Sequence, residues 1–254
     1  MLQIIHHEHY LTPYFTSVAE SPHRIKAIIN KLKDEYETVV PEPAATADIL
    51  RVHDPLHLLK VRAEGKDTYE TALLAAGGAL RAGALAMSGI PAFAVVRPPG
   101  HHAGRNRYGG FCFFNNVAVA VARLLDSGEV GKAAIIDIDM HHGDGTQDIF
   151  AQKPSVSVIN LWARDRGTYL DLLRQEIDRI PPVDVIAVSA GFDLYVRDWG
   201  GLLETSDFRE IGLLIHRAAT EKASGRCFAV LEGGYFVEDL GKNVLAFCRG
   251  LEGK

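Results

Sequence analysis

AAIIDIDMHHGDG, residues 133–145, opens as an apolar run and closes in a cluster of ionisable groups. Asp137, Asp139, His141, His142 and Asp144 fall within eight consecutive positions. Buried charge is costly unless it is paired or bound to a metal. Alternate residues of extended chain point the same way. Asp137, Asp139 and His141 therefore share a face where the strand frays into its loop. Open α/β sheets bind ligands beyond the carboxyl ends of their strands, and this stretch reads as one such end.

Working outward, the same pattern recurs. Short β-branched runs at 2–5, 92–96, 133–136, 155–159, 183–189 and 227–231 alternate with helix candidates. The helix candidates are Pro22–Lys33, Thr71–Ser88, Asn116–Ser127, Tyr169–Arg179, Ser206–Ala223 and Glu238–Arg249, with Ser206 as an N-cap. Continuous apolar strands alternating with helices imply a mainly parallel sheet covered on both faces. The expectation is one three-layer α/β/α domain over residues 1–254. Four of its strands run into polar, Gly-rich segments: RPPGHH (97–102), DIDMHHGDG (137–145), SAGFD (189–193) and EGGY (232–235). Parallel strands bring all four to one edge.

That convergence suits a metal. Asp139 and His141 offer one oxygen and one nitrogen ligand, and Asp193 offers a second oxygen. Such a set leaves a coordination position open, as catalytic zinc sites do. Hydrogen-bonded loop residues without a cation are the alternative, and three ionisable strand ends on one edge count against it. His101 and His102 suit proton transfer near neutral pH. They are expected to pair with Asp137 and Asp144 respectively. Gly233 and Gly234 permit close backbone approach or positive φ, and Tyr235 can then donate to a developing oxyanion. Phe111 suits the wall of a narrow channel, Phe113 and Phe114 the core. Cys112 reads as a small buried hydrophobe.

The bulk figures exclude several classes. The chain has 254 residues, a net charge of −5, 47% hydrophobic and 23% charged residues. No basic run suggests a nucleic-acid face, and no apolar stretch is long enough for a membrane span. The three cysteines form no CxxC pair, which argues against a disulfide framework or a cysteine zinc site. MLQIIHHEHY has no secretory pattern, so a cytoplasmic location is the expectation.

Taken in order, RPPGHH, GGFCFFNN (109–116), DIDMHHGDG, SAGFD and EGGY resemble the zinc-dependent histone deacetylase family of the arginase–deacetylase superfamily. The resemblance spans roughly Pro22 to Tyr235 and favours the class II-like branch, with its bacterial deacetylases and acetylpolyamine amidohydrolases. It implies an arginase/deacetylase-like fold and one Zn2+ per chain held by Asp139, His141 and Asp193. His101 and His102 would be the tandem catalytic histidines, with Asp137 and Asp144 as their carboxylates. Tyr235 would bind the amide oxygen. Gly110, Phe111 and Gly234 would line the substrate site. Arg24, in ESPHR, matches a position associated with an internal acetate exit. A potassium site would draw on Asp137, Asp139 and His141, with Asn160 where a serine is usual.

Two segments are shorter than the family's pattern. AEGKDTYE, around Asp67, replaces a long segment that often carries an acidic rim residue. ARDRGTYLD, after SVSVINLW, replaces a Gly- and Phe-rich loop that walls the tunnel, leaving Trp162 or Tyr169 as candidate aromatic replacements. The expected activity is removal of acetyl or other acyl groups from lysine side chains or related amines. Acetylpolyamines or other small N-acyl amines are the alternative substrates. A non-catalytic acyl-lysine binder would be expected to lack a ligand or catalytic group, and none is missing. A two-manganese ureohydrolase would need further Asp ligands.

Overall fold

The computed structural model describes residues 1–254. Seven parallel strands form one sheet: β1 Gln3–Ile5, β2 Thr38–Val39, β3 Ala92–Ala94, β4 Ala133–Asp137, β5 Val156–Asn160, β6 Val185–Ala190 and β7 Cys227–Leu231. Their spatial order is β2-β1-β3-β7-β6-β4-β5. The helices are α1 Pro22–Leu32, α2 Thr46–Ile49, α3 Pro55–Ala63, α4 Lys66–Met87, α5 Asn116–Asp126, α6 Asp144–Phe150, α7 Arg166–Arg179, α8 Thr205–Lys222 and α9 Val237–Leu251, with a 3-10 turn at Glu8–Leu11.

Both sheet faces are covered, which is why the central strands β3, β7, β6 and β4 are near-continuous apolar runs instead of alternating. Every residue of β3, β4, β6 and β7 is buried. Side-chain alternation splits β3 and β7 between the two layers. Phe228 of β7 faces Gly83 of α4 and the α5 side chains there. Phe93 of β3 meets Phe247 of α9 at 5.9 Å between ring centroids. Helices α4 and α5 thus form one layer, and α1, α8 and α9 pack together in the other.

The departures from the sequence reading are local. The two-residue β2 and the short α2, α3 and α6 lack a periodic apolar signal. Helix α4 begins at Lys66, not Thr71, so KDTYE is helix where a loop was expected. Asp67 is exposed in its first turn. Helix α8 is capped by Glu204, not Ser206: the Glu204 carboxylate accepts from the Asp207 backbone while the Asp207 carboxylate accepts from the Glu204 N–H at 2.8 Å. A reciprocal pair satisfies two orphan donors, where Ser206 would satisfy one.

A buried histidine pair supports the loop that carries GGFCFFNN. The rings of His53 and His57 stack at 4.2 Å. His53 Nδ1 donates to the Gly104 carbonyl at 2.8 Å, and its Nε2 accepts from Asn115 N–H at 2.9 Å. Burial, then the His57 charge, pushes the His53 pKa down to about 3. The unfolded chain takes a proton near pH 6.5 and the folded one only near 3, so this contribution is intact above 6.5 and falls with acidification. We expect a loss of about 1.4 kcal/mol per pH unit from this residue over that window. Denaturant titrations between pH 7 and 4.5, with the His53 imidazole followed by NMR, check it; a folded-state titration near 6.5 would refute it.

Candidate active site

Strands β3, β7, β6 and β4 are consecutive in the sheet, so the four polar segments that follow them lie side by side. The loop after β4 is folded on its own carboxylates. Asp137 Oδ1 accepts from Asp139 N–H at 3.0 Å, and Asp139 Oδ1 from His141 N–H at 2.9 Å. Asp193, beyond β6, ties in the same loop by accepting from Met140 N–H at 2.9 Å. Gly233 N–H, beyond β7, donates to Asp139 Oδ2 at 2.8 Å. A Cβ on Gly233 would come within 2.6 Å of that oxygen, so only glycine permits the approach.

These bonds aim three side chains at one point. Ligand atoms of Asp139, His141 and Asp193 lie within 4.8 Å of one another. His141 Nδ1 is 3.0 Å from Asp139 Oδ1 and 3.0 Å from Asp193 Oδ2. Asp193 Oδ2 is buried with no hydrogen-bond donor aligned on it. Burial, then the Asp139 charge, pushes the Asp193 carboxyl up to about 7. Contacts with Asp139 and Asp193 raise His141 to about 10. Two buried carboxylates facing one imidazole, one oxygen left over, is a donor set that fits a divalent cation.

The tandem histidines are held by separate carboxylates. His101 Nδ1 lies 2.9 Å from Asp137 Oδ2, and His102 Nδ1 lies 2.7 Å from Asp144 Oδ1. Each imidazole keeps its Nε2 free of that bond. Arg107 pairs with the other Asp144 oxygen at 2.6 Å. The two environments diverge. His101 is fully buried, and the charges of Asp137 and Asp139 outweigh that burial to raise its pKa. His102 reaches solvent, and burial with the neighbouring His101 lowers it.

Above the cluster is a cavity of about 150 Å3. His101, His102, His141, Phe111 and Tyr235 line it, as does Gly110 at φ +55°. A side chain on Gly110 would strike the His102 ring at 2.4 Å. Tyr235 follows Gly234, whose φ of +123° turns the chain toward the cavity. Its backbone N–H donates to Asp198 Oδ2 at 2.6 Å, and Phe111 meets its ring edge-on at 6.0 Å. Arg24 is buried behind it, donating to the carbonyls of Gly234 at 2.6 Å and Glu232 at 2.5 Å, with its guanidinium 5.0 Å from the Tyr235 ring centre.

Asn160 Oδ1 accepts from Gly143 N–H at 2.8 Å, beside Asp137, whose Oδ1 accepts from Asp139 N–H and whose Oδ2 lies 2.9 Å from His101 Nδ1. The aromatic wall is neither Trp162 nor Tyr169 but Trp199, which stacks on Tyr235 at 4.0 Å and 23° and meets His141 edge-on at 6.1 Å. Asp67 does not line the cavity. Sequence reasoning also passed over Glu232. Its buried carboxylate accepts from Gly100 N–H at 2.6 Å and His101 N–H at 3.1 Å, and so fixes the turn that presents both histidines. The signal was a charged residue directly after the apolar run CFAVL. No helix is long and apolar enough to cross a membrane.

Residues 18–171 match the family model described as "Histone deacetylase domain". A "Probable deacetylase" of Methanothermobacter thermautotrophicus is 32% identical over 307 positions, covering 99% of this chain and 91% of that protein. Those 307 positions exceed the 254 residues here, so the relative carries insertions that this chain lacks. An "Acetylpolyamine amidohydrolase" of Mycoplana ramosa is 34% identical over 225 positions, 73% of this chain and 64% of that protein. The solved structure "Crystal Structure of HDA15 HD domain" superposes with a TM-score of 0.85 over 99% of this chain and 91% of that one; at 24% identity it speaks for the fold alone.

Proposed function

The chain belongs to the histone deacetylase family and is a hydrolase of the deacetylase type, and from that premise we propose that residues 1–254 act as one catalytic unit with a single zinc ion held by Asp139, His141 and Asp193. The convergence of those three ligands, with the buried Asp193 Oδ2 facing only the His141 ring at 3.0 Å, carries the reading. The substrate is an acetylated lysine side chain or a small acetylated amine. Zinc bound there would polarise the acyl carbonyl and acidify water. The protein's own groups do the rest. His102, the more accessible imidazole, takes the proton of the attacking water through Nε2 while Asp144 fixes its tautomer. Tyr235 donates its hydroxyl to the oxygen that gains charge. His101, buried against Asp137, stabilises the negative site and supports protonation of the departing amine. Arg24 holds the Glu232–Gly234 backbone from behind, at the site proposed for acetate exit.

Zinc-loaded protein is expected to release acetate from acetyl-lysine peptides or acetylated polyamines, to lose that activity on chelation, and to regain it on zinc addition. Turnover that survives complete chelation would overturn the assignment.

A further inference from the structure

The catalytic cavity has a neighbour that the reaction does not use. On the far side of the Trp199 indole, a groove of about 310 Å3 runs beside the metal ligands. Met140 and Leu194, the chain neighbours of His141 and Asp193, line its inner wall, and Trp162 and Leu202 its outer one. It lies where the segment after β5 is short: Ala163 and Arg164 border it, and α7 begins two residues later at Arg166. Trp199 belongs to both spaces, so the groove adjoins the cavity across its indole.

Two polar groups mark this groove. Tyr169 lines it, and its buried hydroxyl has no hydrogen-bond partner. Arg164 stands at the rim, 5.6 Å from the Trp162 ring centre. Its neighbours Arg166 and Arg174 form ion pairs with Asp207 and with Asp171 and Glu210, whereas Arg164 pairs with no carboxylate. An apolar channel ending in a free guanidinium complements an apolar side chain followed by a carboxylate. It disfavours a polycation.

We infer that this groove is the subsite for the residues flanking an acetyl-lysine, and that it selects peptides with an apolar neighbour followed by an acidic one. The inference rests on the deacetylase reading for the acetyl-lysine itself. Arg164 serves the acidic side chain.

The chain's only two tryptophans, Trp162 and Trp199, both line this groove, 70% and 52% exposed. Their emission therefore reports occupancy of the groove or of the adjoining cavity without turnover, and the difference between the two peptides reports the groove. The zinc-loaded protein is titrated with Glu-Leu-acetyllysine-Leu-Glu and with its charge-reversed counterpart Lys-Leu-acetyllysine-Leu-Lys, and acetate release is measured in parallel. The acidic peptide should bind about fivefold more tightly, the scale of one exposed ion pair, with a blue shift of the emission. Arg164→Glu, an exposed substitution, should reverse the preference. Equal affinities, an unshifted emission, or an unreversed preference in Arg164→Glu would overturn the subsite. Acetate release without charge discrimination sinks the groove and spares the deacetylase. Discriminating binding without acetate release from either peptide supports the groove and sinks the catalytic reading.

Discussion

Asp193→Asn should abolish turnover and, in the zinc-free protein, raise the thermal midpoint. The two effects have opposite signs for one reason. The Asp193 carboxylate is buried beside Asp139, and its pKa is pushed up to about 7 in the folded state against about 3.8 in the unfolded one. A carboxyl raised in this way costs the metal-free fold stability as pH climbs through that interval, with the full cost present above 7. Asparagine removes the charge and keeps an oxygen for the Met140 N–H. In the proposed zinc site the carboxylate would be a ligand, and its loss would remove several kcal/mol of transition-state stabilisation, on the order of a thousandfold in kcat. Melting curves at pH 8 with and without zinc check both halves. The parent should gain stability on zinc addition, and the variant should start higher and gain little. A variant that is less stable without zinc and still responds to it would show that Asp193 is not a ligand.

Tyr235→Phe should lower kcat by roughly 10²–10³ with little change in KM, the cost of one oxyanion donor. The substitution deletes only the hydroxyl. The stacking of the ring on Trp199, its edge contact with Phe111 and the backbone bond to Asp198 all remain. The fold and the metal cluster are therefore preserved, and the change is read against the same zinc content. Steady-state kinetics on an acetyl-lysine peptide decide it; unchanged kcat would remove Tyr235 from the chemistry.

The parallel sheet and its reactive edge were legible because both depend on sequence-local signals. An apolar run that ends in Asp or His marks a buried strand and its carboxyl end together. This held for 133–136, observed as Ala133–Asp137, and the run 227–231, which meets Glu232 instead, is observed as Cys227–Leu231. Trp199 was not legible. Its place against Tyr235 is set by Asp198, which accepts from three backbone N–H groups, those of Trp199, Tyr235 and Phe236. Nothing in DLYVRDWGG announces that clamp. The Ser206 cap failed for a related reason: propensity favoured the serine, and a reciprocal pair of carboxylates two residues upstream and one downstream won. Glu232 stood within a quoted motif, but its partners lie more than a hundred positions away.

The strand order has a consequence for synthesis. Strand β7, almost the last to leave the ribosome, sits between β3 and β6. Until it arrives, the nascent chain can pair β1, β2 and β3 in one half-sheet and β4, β5 and β6 in another, with no strand-to-strand ladder joining them. The second half already brings Asp139 and Asp193 together, while His101 and His102 ride on the first. The proposed carboxylate ligands can thus meet before the sheet is closed. Competence comes as a single closing event when residues 227–235 zip the halves together.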